Sequence, residues 1–292
     1  MKRNAFSSLH PLVNFLFFLG AIGFGVVIQH PAYLLSGVVC SAVYYLILTG
    51  RKGLKLILGL IPVFAVITLI NPLFNTYGKT VLFTYFGRKY TLEAVYYGMS
   101  LGAMFVVMMV WFSCYNLVLT SDKFVCLFGS LIPSLSLLLV MVLRLIPSFM
   151  RKTKQIIAAR NAIGRGSNEN STLREKAMSG MTVLSALTDW ALEGSIVTAD
   201  SMWARGYGST KRTSYRRYRM CLRDWLVLGL EVMLAGLVVS AVAGGDTNAV
   251  YTYRIVVAPL TPVWGAYWAF LLIPTFIEIK EAVQWHIIRS KI

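Results

Sequence analysis

The chain has 292 residues, of which 57% are hydrophobic and 14% charged, with a formal net charge of +16. Soluble domains carry about a quarter charged residues, so this composition excludes an ordinary soluble globule. The positive charge is concentrated: residues 144–223 hold fifteen Lys or Arg against five Asp or Glu. Such loops stay on the cytoplasmic side and face anionic lipid, which argues against nucleic acid as the partner.

Crossing the hydrocarbon core takes about 20 apolar residues per helix, and several runs reach that length. In chain order, spans are expected at about Pro11–Gln29 and Ala32–Thr49, joined at His30-Pro31. Met1-Lys-Arg-Asn precedes the first run with no small-residue cleavage site, so that run reads as an uncleaved span. A third span, Leu54–Ile70, should break near Asn71-Pro72, because proline lacks the amide that continues a helix.

Val81-Leu-Phe-Thr-Tyr-Phe-Gly-Arg-Lys-Tyr-Thr91 is β-prone around a glycine and reads as an external hairpin within about 76–91. A fourth span follows at Ala94–Leu119. Two more are expected at Trp225–Ala243 and Ile255–Ile277, separated by the turn-like Gly244-Gly-Asp-Thr-Asn248. Six spans with both termini inside satisfy the charge rule, with Lys79, Arg88 and Lys89 as the exception outside.

The expected fold is therefore an all-α polytopic membrane protein of about six transmembrane helices plus long amphipathic cytoplasmic helices. Its parts are a bundle at 1–119, a cytoplasmic helical segment at 120–221 and a transmembrane hairpin at 222–292.

Within 120–221, Ser121-Asp122 should cap a short helix at Lys123–Phe128. From Ser134 a long helix begins apolar (Leu135, Leu138, Leu139, Val142, Ile146, Phe149). It turns basic at Arg144, Arg151, Lys152 and Lys154, ends on Ala159-Arg160-Asn161, and is broken by Gly164-Arg-Gly-Ser-Asn168. A second helix begins near Ser171. Leu173, Ala177, Met181, Leu184, Leu187 and Ala191 form its apolar stripe, opposite Glu175, Ser179, Thr182, Asp189, Glu193 and Asp200. Ala204-Arg205-Gly206 ends it, with Gly206 and Gly208 closing it.

No catalytic or metal constellation accompanies these helices. Cys40, Cys114, Cys126 and Cys221 lack metal-ligand spacing or a disulfide framework. His10, His30 and His286 are far apart and read as interfacial packing, against a metal or proton relay. Glu231 lies about two turns inside the fifth expected span. A buried acid there is a functional candidate, but the sequence favours pairing with a basic residue near Arg223-Asp224. No GxxxxGK[ST] loop is present, nor HExxH or GxSxG, so neither ATPase activity, a cofactor nor a metal is expected of the chain itself.

Arg205 can be read as a basic residue at a helix C-terminus, favoured by the dipole and lying on lipid phosphate. Its small neighbours Ala204 and Gly206 point instead to insertion in a partner, where the planar guanidinium binds a carboxylate bidentately. Arg160, between Ala159 and Asn161, is a looser copy.

These residues resemble the transmembrane T component of energy-coupling factor transporters. The likeness runs through Asn71-Pro-Leu-Phe74, Thr84-Tyr-Phe-Gly87, Tyr90-Thr-Leu-Glu-Ala94, Thr120-Ser-Asp-Lys-Phe124 and the stretch Ser134 to Pro147. It is most specific at Ala199-Asp-Ser-Met-Trp-Ala-Arg-Gly-Tyr-Gly208, and extends to Lys211-Arg-Thr213 and Arg223-Asp224. The resemblance implies a non-catalytic subunit of an ATP-driven importer of vitamins or transition-metal ions in a prokaryotic cell membrane. It implies two ATP-binding-cassette ATPase partners, docked by Ala159, Arg160, Asn161 and by Ala204, Arg205, Gly206, and a separate substrate-binding membrane subunit. Asn161 departs from the family's pattern, which has Gly there. A conventional importer permease is the alternative, and an intramembrane enzyme acting on lipid a more distant one.

Overall fold

The computed structural model describes residues 4–75, 78, 80–85, 88–128, 133–164, 172–209, 218–251 and 255–290. Its helices are α1 (Pro11–Val27), α2 (Pro31–Thr49), α3 (Gly53–Phe74), α4 (Leu92–Val118), α5 (Ser121–Phe128), α6 (Pro133–Ala162), α7 (Leu173–Ala204), α8 (Leu222–Gly244) and α9 (Val263–Ser290). Two antiparallel hairpins complete it: β1 (Val81–Tyr85) with β2 (Arg88–Thr91), and β3 (Ala249–Val250) with β4 (Val256–Val257). The chain divides into two compact units, residues 1–124 with 218–292, and residues 125–217.

The first unit is a helical membrane bundle that also carries both hairpins. Pro31–Phe74 (which holds α2 and α3), Leu92–Val118 and Leu222–Gly244 are long and apolar enough to cross a membrane, and Pro11–Val27 is a shorter apolar helix. Bundle helices bury aromatic rings inward and leave aliphatic side chains such as Leu58, Leu69, Leu226 and Val239 exposed, the pattern of a surface that meets lipid. Inside, Phe17 packs edge-on to Phe6, Phe18 and Trp111 and stacks on Phe270, with ring centroids 5.2–5.5 Å apart.

Close approach of α3 and α4 depends on Gly98 and Gly102, one turn apart. A Cβ at Gly98 would lie 2.9 Å from the Thr68 carbonyl oxygen, and one at Gly102 2.9 Å from the Phe64 ring. Small residues at this spacing let membrane helices pack backbone to backbone.

His10 and His30 have a role that sequence reading did not assign. Each precedes a proline and caps its helix: His10 Nδ1 accepts from Leu12 N at 3.3 Å, and His30 Nδ1 from Ala32 N at 3.2 Å. The opposite nitrogen of His30 donates to the Ala258 carbonyl at 3.0 Å. His286 is exposed on α9.

Two expected boundaries are corrected. Helix α3 does not break at Asn71-Pro72 but continues to Phe74. A proline in the last turn forfeits one backbone bond, and Asn75 secures the end by donating its amide N–H to the Asn71 carbonyl at 2.9 Å and its side-chain amide to Asn71 Oδ1 at 3.1 Å. The last helix begins at Val263 and not at Ile255. The β-branched pair Val256-Val257 forms β4, paired with β3, and Pro259 and Pro262 delay helix formation.

The first hairpin is present, while its glycine turn and Lys79 fall outside the described residues, as do the side chains of Arg88 and Lys89. The Ser121-Asp122 side chains, residues 165–171 and Lys211-Arg-Thr213 also fall outside them. Glu231 is buried on the face of α8 shared by Leu234, Val238 and Ala241. Neither carboxylate oxygen meets a donor among the described residues, so the basic pairing expected from sequence is not seen there.

Candidate functional site

The second unit holds α6 and α7, which pack antiparallel. Phe149 meets Trp190 edge-on at 5.5 Å, Lys152 Nζ lies 5.7 Å from the same indole, and Val183 is buried between them. Toward the end of α6, Thr153, Ile157, Arg160 and Asn161 face Lys176, Ser179, Gly180 and Val183 of α7 across a cavity of about 390 Å³. The C-terminal turn of α6 therefore lies beside the N-terminal third of α7.

Local chemistry fixes both helix ends. Thr172 and Glu175 form a reciprocal capping box at the start of α7: Thr172 N donates to Glu175 Oε2 at 2.9 Å, and Glu175 N to Thr172 Oγ1 at 3.4 Å. This satisfies two of the amides that a helix start leaves open. Along α7, Thr182, Thr188, Ser195, Thr198 and Ser201 each return their hydroxyl to a carbonyl three or four residues back. Those hydroxyls are occupied within the helix.

At the far end, Gly206 adopts φ +73°. Its N–H donates to the Trp203 carbonyl at 2.8 Å, and Tyr207 N–H donates to the Met202 carbonyl at 3.0 Å. This is a Schellman motif, which needs a left-handed residue one position after the cap. Arg205 is that cap, and its N–H donates back to the Ser201 carbonyl at 3.2 Å. Glycine at 206 thus stops the helix one residue after the arginine and sets the arginine at its tip.

The first triplet is built differently. Asn161 stays helical, α6 runs on through Ala162, and the left-handed residue is Gly164 at φ +70°. Arg160 consequently belongs to the last turn of α6, half-buried beside α7, whereas Ala159 and Asn161 are exposed. Ala204, Arg205 and Gly206 are all exposed. The two triplets are not brought together. Arg205 follows Gly180, which lies beside Arg160, by 25 positions along α7 and its cap, about 40 Å at 1.5 Å per residue.

The packed face of α7 is Ser179, Val183, Leu187 and Trp190, about a quarter turn from the expected apolar stripe. Of that stripe, Leu173, Met181 and Leu184 stay exposed, and Leu187 and Ala191 are half-buried. Sequence reading did not single out Lys176 beside Arg160. Trp203, quoted there within the motif but given no role of its own, is 82% exposed two residues before Arg205.

No family model matches the chain. It is similar to the energy-coupling factor transporter transmembrane protein EcfT of Staphylococcus aureus, 31% identical over 195 residues, covering 62% of this chain and 72% of that protein. It is also similar to the EcfT of Lacticaseibacillus paracasei, 32% identical over 108 residues, covering 36% of this chain and 40% of that protein.

Proposed function

The chain belongs to the family of energy-coupling factor transporter transmembrane proteins, and from that premise we propose that it is the coupling scaffold of an ATP-driven importer. In this reading, Arg160 and Arg205, with Ala159, Asn161, Ala204 and Gly206, dock on two ATP-binding-cassette ATPase subunits. A separate membrane subunit binds the cargo, a vitamin or transition-metal ion, and the chain itself catalyses nothing. The observation that supports it is the placing of two arginine-bearing helix ends about 40 Å apart on one antiparallel pair. One rigid body then offers a separate contact to each of two ATPases, and closure of the ATPases would move α6 and α7 together.

Each guanidinium would meet a carboxylate, because its planar fork gives two parallel charge-assisted bonds. The positive balance of residues 144–223 favours a cytoplasmic face for this segment, and the basic residues of the N-terminus and of the Lys280-to-Lys291 tail favour the same side for both termini. Affinity purification of the tagged chain from its native membrane tests the reading. Two ATP-binding subunits should co-purify, and the isolated chain should hydrolyse no ATP. Recovery of the chain without any ATPase would refute it.

A further inference from the structure

A polar cluster that docking leaves unused lies in the first unit, around residues 5–10. Phe6 is fully buried, edge-on to Phe17, Phe18 and Tyr44, and its N–H donates to Glu278 Oε1 of α9 at 3.1 Å. Next to it, Lys123 of α5 is 4% exposed. Its Nζ donates to Ser7 O at 2.5 Å, Ser7 Oγ at 2.8 Å and Val118 O at 3.0 Å. Asn14, its amide turned to satisfy both neighbours, donates to Phe6 O at 2.9 Å and accepts from Lys123 Nζ at 3.2 Å. Four neutral oxygens thus surround an ammonium that has three protons to give.

Lys123 stands beside the first place where the chain changes units, after Phe124. Ser7 is therefore held by a charged group at that crossing. A buried lysine costs more to desolvate than an apolar residue of its size. What it adds is direction, since a satisfied polar network admits one geometry where apolar packing admits several.

We propose that residues 5–10 clamp the first crossing to the bundle, and that Lys123 is the positioning residue through which displacement of the second unit reaches the bundle. The clamp rests on the coupling reading above. Helix α5 carries the chain past the division without interruption, so an anchor in its first turn ties the bundle to whatever moves the rest.

The test is hydrogen exchange on the complete transporter in lipid discs, with and without ATP plus vanadate. In the unaltered complex, exchange at residues 4–10 and in α6 and α7 should both respond to nucleotide. Lys123→Met should keep the response in α6 and α7 and lose it at 4–10. A purely structural lysine would instead raise exchange equally in both nucleotide states. Should that variant fail to accumulate, Ser7→Ala, which removes one of the four oxygens, should diminish the response at 4–10. An unchanged response at 4–10 in whichever variant is measured overturns the clamp. Absence of any nucleotide response in α6 and α7 of the unaltered complex would overturn the coupling reading itself, and the clamp with it.

Discussion

Arg160 and Arg205 stand at opposite ends of one antiparallel helix pair, the first half-buried beside Lys176 and Ser179, the second exposed at a helix tip. Where each arginine stands on its own helix follows from the residue after it. Gly206 takes a left-handed conformation and ends α7 at the arginine, whereas Asn161 remains helical and lets α6 run on.

Gly206→Ala should therefore weaken docking while leaving the arginine in place. A Cβ at φ +73° costs about 1–2 kcal/mol, which frays the last turn and releases Arg205 from its fixed position. Gly206→Asn should be milder, because asparagine tolerates this region. Co-purification of ATPase with each variant checks it. Full retention by the alanine variant would contradict the capping argument.

Trp190→Ala should loosen the helix pair, removing the ring that meets Phe149 and Lys152. An aromatic pair is worth about 0.5–1.5 kcal/mol beyond its area. Limited proteolysis of the purified chain should then cut α6 and α7 sooner than in the unaltered protein, with cleavage elsewhere unchanged.

Phe17→Ala should destabilise the bundle strongly. The side chain is fully buried and touches four other rings, and losing such a phenylalanine costs about 3–5 kcal/mol. Thermal unfolding in detergent measures it. A shift no larger than that of an exposed position such as Leu58→Ala would contradict the core assignment.

Burial lowers the pKa of Lys123 to about 8 from 10.5. The unfolded chain then binds more protons than the folded one between these values, so stability rises with pH across that window. The contribution is complete above about 10.5 and lost as pH falls through 8. Unfolding temperatures of the unaltered chain and Lys123→Met should diverge in favour of lysine as pH climbs from 8 to 10.5. A pH-independent difference would contradict this account.

The bundle was legible because a span announces itself by an unbroken apolar run, as in α4 and α8. The end of α7 at Arg205 was legible too, because Gly206 follows it in the sequence itself. What escaped depends on tertiary contacts. The packed face of α7 is chosen by Phe149 and Lys152 of another helix, so the most apolar stripe is not the buried one. Lys123 reads as one more basic residue of a cytoplasmic segment, and only the convergence of Ser7, Asn14 and Val118 buries it. The ends of α3 and the start of α9 turned on a side-chain bond and a short strand pair, neither of which periodicity records.

The central claim is that both arginines bind ATPase subunits, and ATPase co-purification with uptake in four variants tests it most directly. Arg205→Ala and Arg160→Ala should each weaken assembly, by up to several kcal/mol because a buried carboxylate on the partner is stranded. The double variant should be worse than either, and Arg205→Lys should rescue only in part, since lysine lacks the planar fork. Membrane insertion should be unchanged throughout. Full uptake and full ATPase recovery in the double alanine variant, or complete rescue by lysine, would contradict the docking account.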